Sequence, residues 1–91
     1  MTTTLHRPEQ AMQGQYQACF VFEGHDWVIA ADMEWDGEDF QPAGAVEIMD
    51  ISEDNPVTEV VRLGVFYDKF GPDIFHTAME DLTVSAKEDQ E

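Results

Sequence analysis

Two stretches of strict alternation dominate the chain. In residues 15–23, Tyr16, Ala18, Phe20 and Phe22 alternate with Gln15, Gln17, Cys19, Val21 and Glu23. In residues 27–36, Trp27, Ile29, Ala31, Met33 and Trp35 alternate with Val28, Ala30, Asp32, Glu34 and Asp36. A period of two marks strands with one buried face. Between them, Glu23-Gly24-His25-Asp26 reads as a hairpin whose two-residue loop opens with Gly24, which suits a type II′ turn. That register pairs Phe22 with Trp27, Phe20 with Ile29 and Ala18 with Ala31, and sends all six to one face.

Further along, Gly, Pro and Asp mark residues 37–44 as a loop. Residues 45–52 read as a third strand, with a bulge expected where the alternation breaks at Met49-Asp50. Residues 53–56 are a turn or a helix start. Across 57–67 two patterns compete. Val57, Val60, Val61, Gly64 and Val65 fit a helix face, with Asn55 and Pro56 as its N-cap and first residue. The β-branched residues and Gly64 tip the balance towards a strand. Residues 72–83 predict a helix, with Pro72 at its first position and Ile74, Phe75, Ala78, Met79 and Leu82 along one stripe.

The expected organisation is a loose N-terminal arm (1–14), a single α+β domain (15–84) and a polar, acidic tail (85–91). The fold class is α+β: a small antiparallel sheet of three to four strands with a C-terminal amphipathic helix packed on one face. Phe20, Phe22, Trp27, Ile29, Met33 and Trp35 should meet the helix stripe in one core. Asp32, Glu34 and Asp36 should then face solvent.

Composition supports one modest core. The chain has 91 residues, of which 43% are hydrophobic, and a domain of this size buries roughly 60–65% of its unfolded surface. Charge changes the picture more. Twenty Asp and Glu face four Lys and Arg, for a net charge of −16, where about 2–8 is usual for a small domain. Anionic lipid headgroups and nucleic acid would both repel such a chain. The first ten residues lack the apolar stretch of a signal peptide, and no apolar run is long enough to span a membrane. A cytoplasmic protein is expected, in the host cell if a phage encodes it.

Catalytic constellations are weak. Phosphate-cradling glycine loops and nucleophile elbows are missing from the sequence. Cys19 falls mid-strand, where a small packing role is ordinary. His6, His25 and His76 lack the short spacing of a zinc motif. The pairs Glu38-Asp39, Glu53-Asp54 and Glu80-Asp81 would need a pocket that separates their pKa values. Asp32 to Gly37 resembles the opening of an EF-hand loop, but Ala43 stands where the bidentate Glu belongs and the flanks alternate like strands. Asp36, Glu38 and Asp39 offer at most a loose cation site. The expectation is therefore no enzyme, no cofactor and no dedicated metal site.

The acids are unevenly spread. Residues 23–61 hold twelve of them and no Lys or Arg. Same-face neighbours on a strand stand about 6.5–7 Å apart. Phosphates advance about 3.4 Å along the helix axis per nucleotide and are further apart through space. Asp32, Glu34, Asp36, Glu38, Asp39, Glu47, Asp50, Glu53 and Asp54 are the candidate partner-binding residues. In composition and charge layout the chain resembles the acidic DNA-mimic inhibitors of phages and mobile elements, a class built on unrelated folds. That resemblance implies an inhibitor, of anti-CRISPR or anti-restriction type for example. Its partner would be a basic nucleic-acid-binding protein, with no direct nucleic-acid or membrane contact; homodimerisation is left open. The alternative is a small adaptor or accessory subunit with an apolar interface around Phe40, Phe66, Tyr67 and Phe70.

Overall fold

The chain first reverses at Glu23-Gly24. In the computed structural model, which describes residues 15–90, strands β1 (Tyr16–Phe22) and β2 (His25–Ala31) pair antiparallel. Phe22 faces His25, Phe20 faces Trp27 and Ala18 faces Ile29. Glu23 and Gly24 both have positive φ, 51° and 80°, as a type I′ turn requires. The expected turn over Gly24-His25 is thus one residue too late, and the pairing slides by two. A slide of two keeps every side chain on its expected face. The twist of a type I′ turn suits a hairpin, and this register stacks Phe20 on Trp27 with ring centres 6.4 Å apart.

Strand β5 (Val46–Asp50) pairs with β2, and β6 (Glu59–Val61) pairs with β5. The four-stranded antiparallel sheet has the order β1-β2-β5-β6. Pairing runs unbroken from Ala30–Glu47 to Trp27–Asp50, so the expected bulge at Met49-Asp50 does not form. Asp50 takes an inward register position at the end of the sheet, beside His25, where its carboxylate has a partner. The break in alternation was a polar residue at an apolar position.

The expected strand over 27–36 is interrupted. β2 ends at Ala31, and β3 (Met33–Trp35) pairs with β4 (Phe40–Pro42) in a separate two-stranded sheet. Asp32 is the joint: its carbonyl accepts from Ala43 N–H at 2.8 Å and its carboxylate from Gln15 N–H at 3.0 Å. Residues 40–42, expected in a loop, are paired. Trp35 leaves the expected core; it is 56% exposed and packs on Phe40 within the small hairpin.

Residues 57–67 divide. The strand expectation holds for Glu59–Val61, but helix α1 (Leu63–Phe70) follows. Burial of Phe66 and Phe70, four apart on one helix face, outweighs the strand preference of Val65 and the cost of Gly64. Phe70 sits edge-on to Phe20, Phe22 and Trp27 with ring centres 4.8–5.0 Å apart. Gly71, at φ 93°, ends α1 and donates its N–H to the Tyr67 carbonyl.

Helix α2 (Pro72–Gln90) starts where Pro72 predicts and outruns its expected end at residue 83. Residues 85–90 are not a tail, because Ala86 continues the buried stripe of Ala78 and Leu82. The expected arm, residues 1–14, lies outside the described residues, as does Glu91. The buried centre is Ala18, Ile29, Ala31, Val46, Ile48, Val61, Phe66, Phe70, Ala78 and Leu82. Phe20, Phe22, Trp27, Met33, Ile74, Phe75 and Met79 pack around it. The fold is therefore α+β, a four-stranded antiparallel sheet and a small hairpin with the C-terminal helix against them. No helix among the described residues is long and apolar enough to cross a membrane.

Candidate functional site

The nine candidate acids separate along the sheet. β2 has seven residues and so spans about 20 Å. Beyond its Ala31 end, the β3–β4 hairpin carries Asp32, Glu34, Asp36, Glu38 and Asp39, all exposed. Beyond its His25 end lie Asp50, at the close of β5, and Glu53 and Asp54 in the β5–β6 loop, with Glu23 and Asp26 beside them. Glu47 lies between, half-buried and opposite Ala30. Asp32, Glu34 and Asp36 face solvent as expected, but they do not form one row on one strand, because the chain changes sheets at Asp32.

Several of these carboxylates hold the chain in place. Asp36 accepts from the backbone N–H groups of Glu38 (2.9 Å) and Asp39 (2.8 Å) and from the Gln41 amide. The Asp39 N–H, then that of Glu38, holds the Asp36 carboxyl below the ordinary aspartate range. Its oxygens are thereby committed to the loop, which leaves little for a cation shared with Glu38 and Asp39. Asp39 caps Phe40 N–H and pairs with Lys87 at 3.3 Å. Asp50 accepts from Ser52 N–H and meets His25 Nδ1 at 2.8 Å. The carboxylates of Glu34, Glu38 and Asp54 have no partner among the described residues.

The adaptor residues fare differently. Phe66 and Phe70 are core, Phe40 is half-buried against Trp35, and Tyr67 is exposed but packs on Phe75. Cys19 lies on the outer face of the sheet and His25 on the inner, so they do not come together. A cleft of about 250 Å³ opens beside His25, lined by Phe22, Glu23, Trp27, Asp50 and Lys69.

The outer sheet face is the feature that sequence reasoning missed. Register aligns Gln17, Ala30, Glu47 and Val60 in one row, Cys19, Val28 and Met49 in the next, and Val21 with Asp26 in a third, which Ile51 extends. Most of these are apolar. Val21, Ile51 and Val60 are 62%, 45% and 66% exposed. The signal was present in the alternation itself: Cys19, Val21, Val28 and Ala30, the supposedly outward set, are not polar.

No protein-family model, curated protein or solved structure matches this chain.

Proposed function

We propose that this protein is an acidic binding module that occupies the nucleic-acid-binding surface of a basic protein partner in the cytoplasm, and so inhibits it. The observation that carries this reading is the charge excess: exposed acids stand at both ends of a sheet about 20 Å long, and residues 23–61 contain no Lys or Arg. Contact would be made at two places, the β3–β4 hairpin through Glu34 and Glu38 and the β5–β6 loop through Glu53 and Asp54. Such charge steers association and suppresses acidic partners. The chemistry fits inhibitors of CRISPR, restriction or other DNA-processing proteins. Binding, not catalysis, is the proposed activity.

The test is capture of partners from a bacterial lysate on the immobilised chain, with and without competing duplex DNA. Nucleic-acid-binding proteins should be retained and DNA should displace them. Retention of other proteins, or indifference to DNA, overturns the reading.

The apolar outer face favours a second reading, an adaptor that docks by apolar contact. Val60→Asp and Val21→Asp would then abolish binding, while Glu34→Lys and Glu38→Lys would leave it intact.

A further inference from the structure

We propose that His25, Asp50 and Glu53 form a binding site for one first-row divalent transition-metal ion, a site that shares Glu53 with the proposed partner contact but does not need that reading to hold. Three local features bring the ligands together. The Glu23-Gly24 turn makes His25 the first residue of β2, the β2–β5 register ends at Asp50 on the same side, and the β5–β6 loop returns Glu53. One donor atom from each lies within 4.8 Å of the other two. His25 Nδ1 is 2.8 Å from Asp50 Oδ2 and 3.9 Å from Glu53 Oε2. Zinc bonds imidazole nitrogen and carboxylate oxygen at about 2.0–2.2 Å, which sets donor atoms around one tetrahedral ion roughly 3.3–3.5 Å apart. The two separations fall on either side of that value, each by about half an ångström, a gap that small side-chain rotations can close.

The surroundings are built for it. Ser52 N–H donates to Asp50 Oδ1, which leaves Oδ2 towards His25. Ser52 Oγ accepts from Asp26 N–H, and Ile51 N–H donates to the Asp26 carbonyl. These bonds fasten the ligand-bearing loop to the start of β2, the role that outer contacts play in metal sites. The cleft of about 250 Å³ beside His25 and Asp50 leaves room for water or an anion on the remaining coordination positions. Trp27 lines that cleft, and its indole N–H is buried without an acceptor among the described residues. Lys69 also reaches the cleft, with Nζ 5.7 Å from the Trp27 ring centre, and opposes a cation. The carboxylates of Glu23, Asp50 and Glu53 outnumber it.

Ligand chemistry narrows the ion. One imidazole with two carboxylates suits zinc, cobalt or nickel, whereas calcium and magnesium prefer oxygen alone. The imidazole also separates this site from the diffuse cation binding of any acid-rich surface.

The test titrates the full chain, freed of metal by chelator, with zinc by calorimetry and with cobalt by visible absorption, in a large excess of magnesium that saturates diffuse sites. One ion per chain should bind. His25→Ala and Glu53→Gln should each weaken binding by about tenfold or more, while His6→Ala and His76→Ala leave it unchanged. Zinc should raise the melting temperature of the wild type and not of His25→Ala. In the wild type, the ring resonances of His25 should move on zinc addition. Binding that survives His25→Ala, vanishes in magnesium or leaves the His25 ring unmoved overturns the proposal.

Discussion

The hydroxyl of Tyr16 donates to Asp89 Oδ2 at 2.7 Å, joining the first residue of β1 to the end of α2. Together with the buried methyl of Ala86, it docks the last helical turns on the sheet. Ala86→Asp forces a charge into a buried position and should cost about 3 kcal/mol or more in urea unfolding. Tyr16→Phe removes one exposed hydrogen bond and should cost about 0.5–1 kcal/mol. A neutral Ala86→Asp would show that residues 85–90 act as a tail.

The turn offers a test of register. Glu23 adopts φ 51°, a left-handed conformation that costs a residue with a Cβ roughly 1–2 kcal/mol. Asn tolerates that region, and Asn-Gly is a preferred type I′ pair. Glu23→Asn should therefore stabilise the protein by about 0.5–1 kcal/mol in urea denaturation. Were the turn at Gly24-His25, position 23 would be an ordinary strand residue and Asn would gain nothing.

These two sites mark where sequence reading stopped. Alternation revealed the β1–β2 hairpin and its core face, since the faces depend only on parity. It left the register open by two residues, because Gly24 serves a two-residue turn in either position. The stripe from Ile74 to Leu82 located α2, yet Ala86, a small residue among charged ones, carried too weak a signal to extend it. α1 was hidden because its helicity comes from tertiary burial of Phe66 and Phe70 against Phe20 and Trp27, contacts that no local window contains. The acids were legible as a charge excess and not as a surface. Nothing local shows that the chain changes sheets at Asp32, or that Asp36 and Asp50 are engaged by Gln41 and His25.

Asp36 should leave a trace in acid. Its folded pKa lies below its unfolded value because the N–H groups of Asp39 and Glu38 favour the charged form. The resulting stability is therefore complete above the unfolded value and is lost as pH falls through the folded one. Asp36→Asn keeps an acceptor and removes the charge. The wild type should melt higher than this variant at neutral pH, and the gap should close below about pH 4. The carboxyl resonance of Asp36 should titrate below the ordinary aspartate range. A gap that is constant with pH would show that the loop does not depend on the charge.

Charge and apolar surface make separable contributions once a partner is in hand. Glu34 and Glu38 are exposed on the β3–β4 hairpin and have no partner carboxylate-to-cation pair among the described residues, so reversing them leaves the fold alone and changes only the field. Rim charges of this kind act on association rate and its salt dependence. The double variant Glu34→Lys/Glu38→Lys should slow association about tenfold at low salt and flatten its dependence on ionic strength, with little change in dissociation. Val60 and Val21 lie on the outer face of the sheet and are largely exposed, so Val60→Thr and Val21→Thr should shift stability by less than about 0.5 kcal/mol. If that face is in the interface, each should speed dissociation and leave association unchanged, because apolar contacts form after encounter. Surface plasmon resonance against the captured partner, at two salt concentrations, separates the cases. Slower association from the hairpin variant alone locates the contact on the charged end. Faster dissociation from the valine variants alone locates it on the outer face and leaves the adaptor reading standing. Both effects together describe a partner whose own site is apolar at its centre and basic around it.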